Sequence, residues 1–125
     1  MPRQSTAGIG EKYTVRVPTE GAKVTISAEL RVPEGVHVYN VQAPINWTQD
    51  ITRENGLITD VVWNVNIQSG EFMEFSFIAL NPADAAQIVW TLRQNYSDGS
   101  SDDWTNGPDG PYSGAVTRLM PLPNQ

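Results

Sequence analysis

The sequence predicts an all-β fold, an immunoglobulin-like antiparallel β-sandwich of seven to nine strands, on three observations. Apolar residues recur with a period of two in run after run, and hardly anywhere with the 3.6-residue period of a helix. The runs are short and rich in β-branched and aromatic residues. Turn sequences built from Pro, Gly, Asn and Asp separate them at intervals typical of a sandwich, although the Cys-Trp-Cys signature of antibody domains is absent. A chain of 125 residues suits one domain that buries about two thirds of its unfolded surface, and with no cysteine it has no disulfide to help it.

The first β-rich run is Tyr13 to Val17, ended by the turn sequence Pro18 to Gly21. From Lys23 to Val32, the residues Val24, Ile26, Ala28, Leu30 and Val32 alternate with Thr25, Ser27, Glu29 and Arg31, so the first set is expected on a core face and the second in water. After Pro33-Glu34-Gly35, the run Val36 to Val41 sets His37 and Tyr39 opposite Val36 and Val38, which makes His37 a half-exposed strand residue. Runs at Trp47 to Ile51 and Leu57 to Asn66 flank Asn55-Gly56, a dipeptide that accepts positive φ and predicts a hairpin. Beyond Ser69-Gly70, the run Phe72 to Leu80 places Met73, Phe75, Phe77 and Ala79 opposite Glu74 and Ser76. Pro82 to Ala86, with Pro first and Ala following, reads as a short helical turn. Gln87 to Tyr96 lines up Ile88, Trp90, Leu92 and Tyr96 against Thr91, Arg93 and Asn95, and Asp98-Gly99 predicts a second hairpin. A turn sequence at Asn106 to Gly110 and a run at Ala115 to Leu119 complete the pattern. Trp63 and Trp90, inside β runs, are expected in the core. Residues 1–120 form the domain and 121–125 a flexible C-terminal tail.

The counts also restrict the chemistry. Zero cysteine removes thiolate metal sites and cysteine nucleophiles, and a single histidine removes an internal multi-histidine site. There is no Gly-x-Ser-x-Gly elbow, and no enzyme site is visible. A net charge of −6 with scattered basic residues is the wrong electrostatics for nucleic acid. No apolar run approaches the ~20 residues of a membrane span, and Met-Pro-Arg-Gln-Ser has no signal-peptide core. The acidic stretch Asp98 to Asp103 lacks the EF-hand spacing and reads as a solvated hairpin. Trp47 and Trp104 lie near loops, either as recognition residues for a sugar, a cation or a peptide or as caps on the core. Asn46-Trp47-Thr48 and Asn95-Tyr96-Ser97 match the glycosylation sequon, a pattern short enough to arise by chance.

Six stretches, in this order, resemble the YcnI-like family of bacterial exported copper-binding domains, long catalogued as a domain of unknown function: Gly10 to Glu20 (GEKYTVRVPTE), Leu30 to Val36 (LRVPEGV), Trp47, Trp63, Gly70 to Ala79 (GEFMEFSFIA) and Tyr96 to Trp104 (YSDGSSDDW). The resemblance spans residues from about Ser5 to Trp104 and implies an immunoglobulin-like sandwich, periplasmic or at the cell surface, that binds copper(II) without being an enzyme. In that family the signal peptide is cleaved just before a histidine, whose amine and imidazole clasp the metal, while a glutamate completes the site and a tryptophan lies beside it. Such donors suit copper(II). Carried over, the glutamate is Glu20, after Val17-Pro18-Thr19, and the tryptophan is Trp104. The histidine would fall a few residues upstream of Met1. The expectation is therefore a chain that begins inside the mature domain and lacks its main ligand, with no copper bound and Glu20 and Trp104 as an incomplete half-site. The bland alternatives are a solvated turn carboxylate for Glu20 and an end-cap for Trp104. The implied partners are the copper ion and copper-trafficking proteins, with membrane association only through segments outside this chain. The alternative function is a non-catalytic protein-interaction or adhesion module. A sugar-binding role would require Trp47 and Trp104 on one exposed face.

Overall fold

The computed structural model describes residues 1–104 and 116–123, which contain eleven strands and no helix. In chain order these are β1 (Gln4–Thr6), β2 (Gly10–Pro18), β3 (Thr25–Arg31), β4 (His37–Val41), β5 (Thr48–Glu54), β6 (Leu57–Ile67), β7 (Phe72–Leu80), β8 (Gln87–Val89), β9 (Thr91–Tyr96), β10 (Ser101–Trp104) and β11 (Val116–Met120). The expected turn at Asn106 to Gly110, and Ala115, lie outside the described residues. The larger sheet runs β10-β9-β3-β6-β4-β7-β2, with β5 on the other side of β6; a smaller one runs β1-β11-β8.

The larger sheet folds over on itself. β4 meets β6 at the single pair Val38–Ile58, whereas it follows β7 from His37–Leu80 to Val41–Phe77. That one pair acts as the fold line, so the half carrying β9, β3 and β6 faces the half carrying β4, β7 and β2. Side chains from the two halves meet inside: Trp63 of β6 stacks on Phe75 of β7 at 4.7 Å, and Tyr13 of β2 packs against Trp90 at 4.6 Å and Phe77 at 5.8 Å. Trp63 and Trp90 are core residues, as the sequence predicts. Met73, Phe75, Phe77 and Ala79 alternate inward along β7, and His37 and Tyr39 face solvent while Val36 and Val38 are buried.

Both predicted hairpin turns form. Asn55 and Gly56 each take positive φ, at 52° and 81°, between β5 and β6, and Gly99 does so at 88° between β9 and β10. Four expectations are revised. The run from Gln87 to Tyr96 is divided at Trp90: β8 pairs with β11 in the small sheet and β9 with β3 in the large one, so the chain changes sheets there. This division, with β1 and β10, raises the count above seven to nine. The sandwich is not wholly antiparallel, because β1 runs parallel to β11, Gln4 beside Arg118. Pro82 to Ala86 is not helical, since neighbouring segments take its carbonyls: Gly8 N–H donates to Pro82 O at 3.2 Å and Leu119 N–H to Ala86 O at 2.9 Å. Five residues are too few to nucleate a helix against that competition.

The fourth revision concerns β3. A bulge between Thr25 and Ser27 shifts its register against both β6 and β9, which inverts the alternation at its start. Ile26 is turned out to 43% exposure and Thr25 is fully buried, the reverse of the expected faces. From Ala28 onward the expected faces return, with Ala28 and Leu30 buried.

Candidate functional site

β2 ends at Pro18 beside Phe72 of β7, and the chain then turns through Thr19, Glu20 and Gly21 into β3. Gly21 sits at φ +73°, where an L side chain is strained. The residue before Glu20 is fixed by every polar group it has. Thr19 N–H donates to Glu71 O at 3.0 Å, Thr19 O accepts from Gly70 N–H at 2.9 Å, and Thr19 Oγ1 lies 2.5 Å from Thr25 Oγ1. Further along, Lys23 Nζ donates to Ser100 Oγ at 3.2 Å and sits 4.5 Å from the Tyr96 ring centre, while Ser97 N–H donates to Val24 O at 2.9 Å. Glu20 itself is exposed and, among the described residues, is engaged by no hydrogen bond or ion pair. It is a free carboxylate on a loop pinned at both ends.

Trp104 closes β10 and is the register partner of Leu92. It is half-buried and packs against the core, and its Nε1–H is buried without an acceptor among the described residues. Leu92 is two residues, or about 7 Å of strand, from Gln94, whose side-chain amide crosses the sandwich to Pro18 O at 2.7 Å. Trp104 lies four ladder positions, about 13 Å of strand, from the level of Tyr96, the β9 residue that pairs with Thr25 where the Glu20 turn enters β3. The Met1 ammonium has its pKa lowered, first by burial and then by Arg16 of β2, with Glu74 of β7 opposing.

His37 is elsewhere. It pairs with Leu80, at the opposite end of β7 from Phe72, which at ~3.4 Å per residue is about 27 Å along the strand. Among the described residues, no group of three or more His, Cys, Asp or Glu side chains is arranged to hold a metal ion. Glu20 is a donor of the right type for copper(II), but the described residues do not add the nitrogen donors that would complete its coordination. They fit one arm of such a site.

The acidic hairpin is occupied with its own contacts. Asp98 Oδ1 accepts from Ser100 N–H at 2.9 Å and from Ser100 Oγ–H; Asp102 accepts from Tyr96 Oη–H at 2.7 Å; Asp103 takes two hydrogen bonds from Arg93, at 2.8 and 3.3 Å. The Ser100 bonds hold the Asp98 carboxyl below its ordinary pKa, and Arg93 does the same for Asp103. On the far border of this sheet, the loop before β5 carries Ile45, 81% exposed, and Trp47, 38% exposed, over an apolar cleft of about 210 Å³ floored by Trp63 and Phe75. Trp47 and Trp104 stand at opposite borders, so they form no shared platform for a sugar.

A family described as "Domain of unknown function (DUF1775)" matches residues 1–119. The chain belongs to this family. It is 31% identical over 121 residues to a Bacillus subtilis (strain 168) protein named Copper-binding protein CutI, a match that takes in 94% of this chain and 59% of that protein. The chain thus spans well under two thirds of the curated relative's length. A solved structure from Nocardia farcinica, described as an uncharacterized protein with an immunoglobulin-like fold, superposes with a TM-score of 0.77 at 23% identity over 91% of both chains. A non-cellulosomal cohesin from Archaeoglobus fulgidus superposes with a TM-score of 0.50 at 13% identity, covering 95% of this chain and 86% of its own. The likeness to the Nocardia farcinica structure shows that this DUF1775 domain has the immunoglobulin-like fold.

Proposed function

We propose that the chain is a non-catalytic, extracytoplasmic copper(II)-binding domain that takes copper from, or hands it to, trafficking proteins. In this reading Glu20 supplies a carboxylate ligand beside Trp104, and a histidine ahead of Met1 supplies the amine and imidazole nitrogens. The observation that carries it is the Glu20 carboxylate, exposed and unengaged on a loop pinned at both ends. A curated relative named as copper-binding supports it.

The test is a copper(II) titration, followed by calorimetry and visible absorbance, of the protein with a free N-terminal histidine placed a few residues ahead of Pro2. One equivalent should bind, and Glu20→Ala should weaken binding by tenfold or more. The reading fails if the histidine-bearing protein gives no copper-dependent signal, or if Glu20→Ala leaves its affinity unchanged. A second reading, a protein-contact module, draws on the exposed Ile45 and Trp47 over their cleft. Trp47→Ala should leave the copper titration intact, because that border lies across the sheet from Trp104.

A further inference from the structure

Gln94 is the one residue of β9 whose polarity contradicts its position. Its neighbours Leu92 and Tyr96 point inward, and so does Gln94, at 1% exposure. An uncompensated amide there would carry a heavy desolvation penalty. Its Nε2 donates to Pro18 O at 2.7 Å and to Thr25 Oγ1 at 2.7 Å, and Thr25 Oγ1 lies 2.5 Å from Thr19 Oγ1. Pro18, Thr19 and Thr25 surround the Glu20 turn, and Thr19 and Thr25 are as buried as Gln94. The chain departs from its own binary pattern to build this contact: the β3 bulge turns the Thr25 hydroxyl in and leaves Ile26 at 43% exposure. Bulges re-aim side chains, and this one supplies the hydroxyl that accepts from Gln94 and is hydrogen-bonded to Thr19.

We infer that Gln94, Thr25 and Thr19 form a buried clamp that positions Glu20 for metal before any metal arrives. The clamp fixes the backbone on the β2 side, where Pro18 O is held from across the sandwich, and on the β3 side, where Thr25 is held to Thr19. Glu20 lies between these anchors, so its backbone needs no ordering when it coordinates. Gln94 is thus a positioning residue, and the inference rests on the copper reading of Glu20. Outer groups of this kind typically set metal affinity by 10- to 100-fold.

The test uses the histidine-bearing protein described above, with Gln94→Met, Thr25→Val and Thr25→Ser. In the metal-free proteins, amide hydrogen exchange at Thr19 and Gly70, whose N–H groups close the turn, should accelerate in Gln94→Met and Thr25→Val and recover in Thr25→Ser. Copper(II) affinity should fall by about tenfold in the first two and recover in the third. In a Glu20→Ala background, Gln94→Met should cause no further loss of affinity. The clamp is overturned if folded Gln94→Met and Thr25→Val leave the Thr19 and Gly70 exchange rates unchanged. It is equally overturned if Gln94→Met weakens copper binding as much without Glu20 as with it. If Gln94→Met does not fold, the two Thr25 variants decide. A Glu20→Ala protein with undiminished copper affinity would instead sink the metal reading, a result separate from the exchange rates.

Discussion

Asp98, Asp102 and Asp103 follow one another closely enough to pass for a cation site, and each is already satisfied by a residue of its own hairpin. The titration of Asp98 and Asp103 should show it. The folded pKa of Asp98 is lowered by Ser100 and that of Asp103 by Arg93, so each contributes stability above the ordinary carboxyl value of about 3.9 and loses it as pH falls through its own lower midpoint. Carboxyl carbon shifts followed by NMR should put both midpoints below that value. Ser100→Ala should return Asp98 toward it while leaving Asp103 in place; an Asp98 midpoint that does not move would refute the assignment. At this scale the sequence was partly legible. The isolation of His37 and the solvated nature of the acidic turn follow from residue type and spacing. Gln94 was legible in principle, because a glutamine at the parity of Leu92 and Tyr96 signals a buried polar contact, but its partners Pro18 and Thr25 lie some seventy residues away. No local pattern names them.

Among the elements, β7 is where alternation reads most directly: every second residue from Met73 to Ala79 faces inward, because the strand pairs with β2 over its whole length without a register shift. β3 is where it misleads. Alternation assumes an unbroken pleat, and one extra residue exchanges the faces on one side of the bulge. The register predicts that Ile26→Ser changes stability by no more than about 0.5 kcal/mol, as for an ordinary surface substitution. If Ile26 were a core residue, truncation would cost several times more, about 2–5 kcal/mol. Denaturant unfolding separates these outcomes, and a large loss would show that the bulge is misplaced. The division of the Gln87 to Tyr96 run at Trp90 was hidden for a different reason. Both halves keep the same inward parity, so a change of sheet leaves no mark on the pattern.

For the molecule as a whole, the fold class was legible because period-two patterning and turn chemistry agree along its length, while the order of strands in the sheets is set by long-range pairing that alternation does not encode. The two halves of the larger sheet are joined by one backbone pair, so their union depends on the side chains between them, chiefly Trp63 on Phe75 and Tyr13 on Phe77 and Trp90. Trp63→Ala should therefore cost about 3–5 kcal/mol, a large part of the 5–15 kcal/mol typical of a domain. Thermal unfolding should register this as a steep fall in Tm, and a loss below about 1 kcal/mol would mean that the halves are held by something else. The parallel pairing of β1 with β11 reaches further than stability. Gln4 finds its partner Arg118 more than a hundred residues further along, so on a ribosome β1 is made early and waits, edge open, until β11 has emerged. Assembly of this domain is consequently a late event in its synthesis, with a high contact order and a correspondingly slow final step.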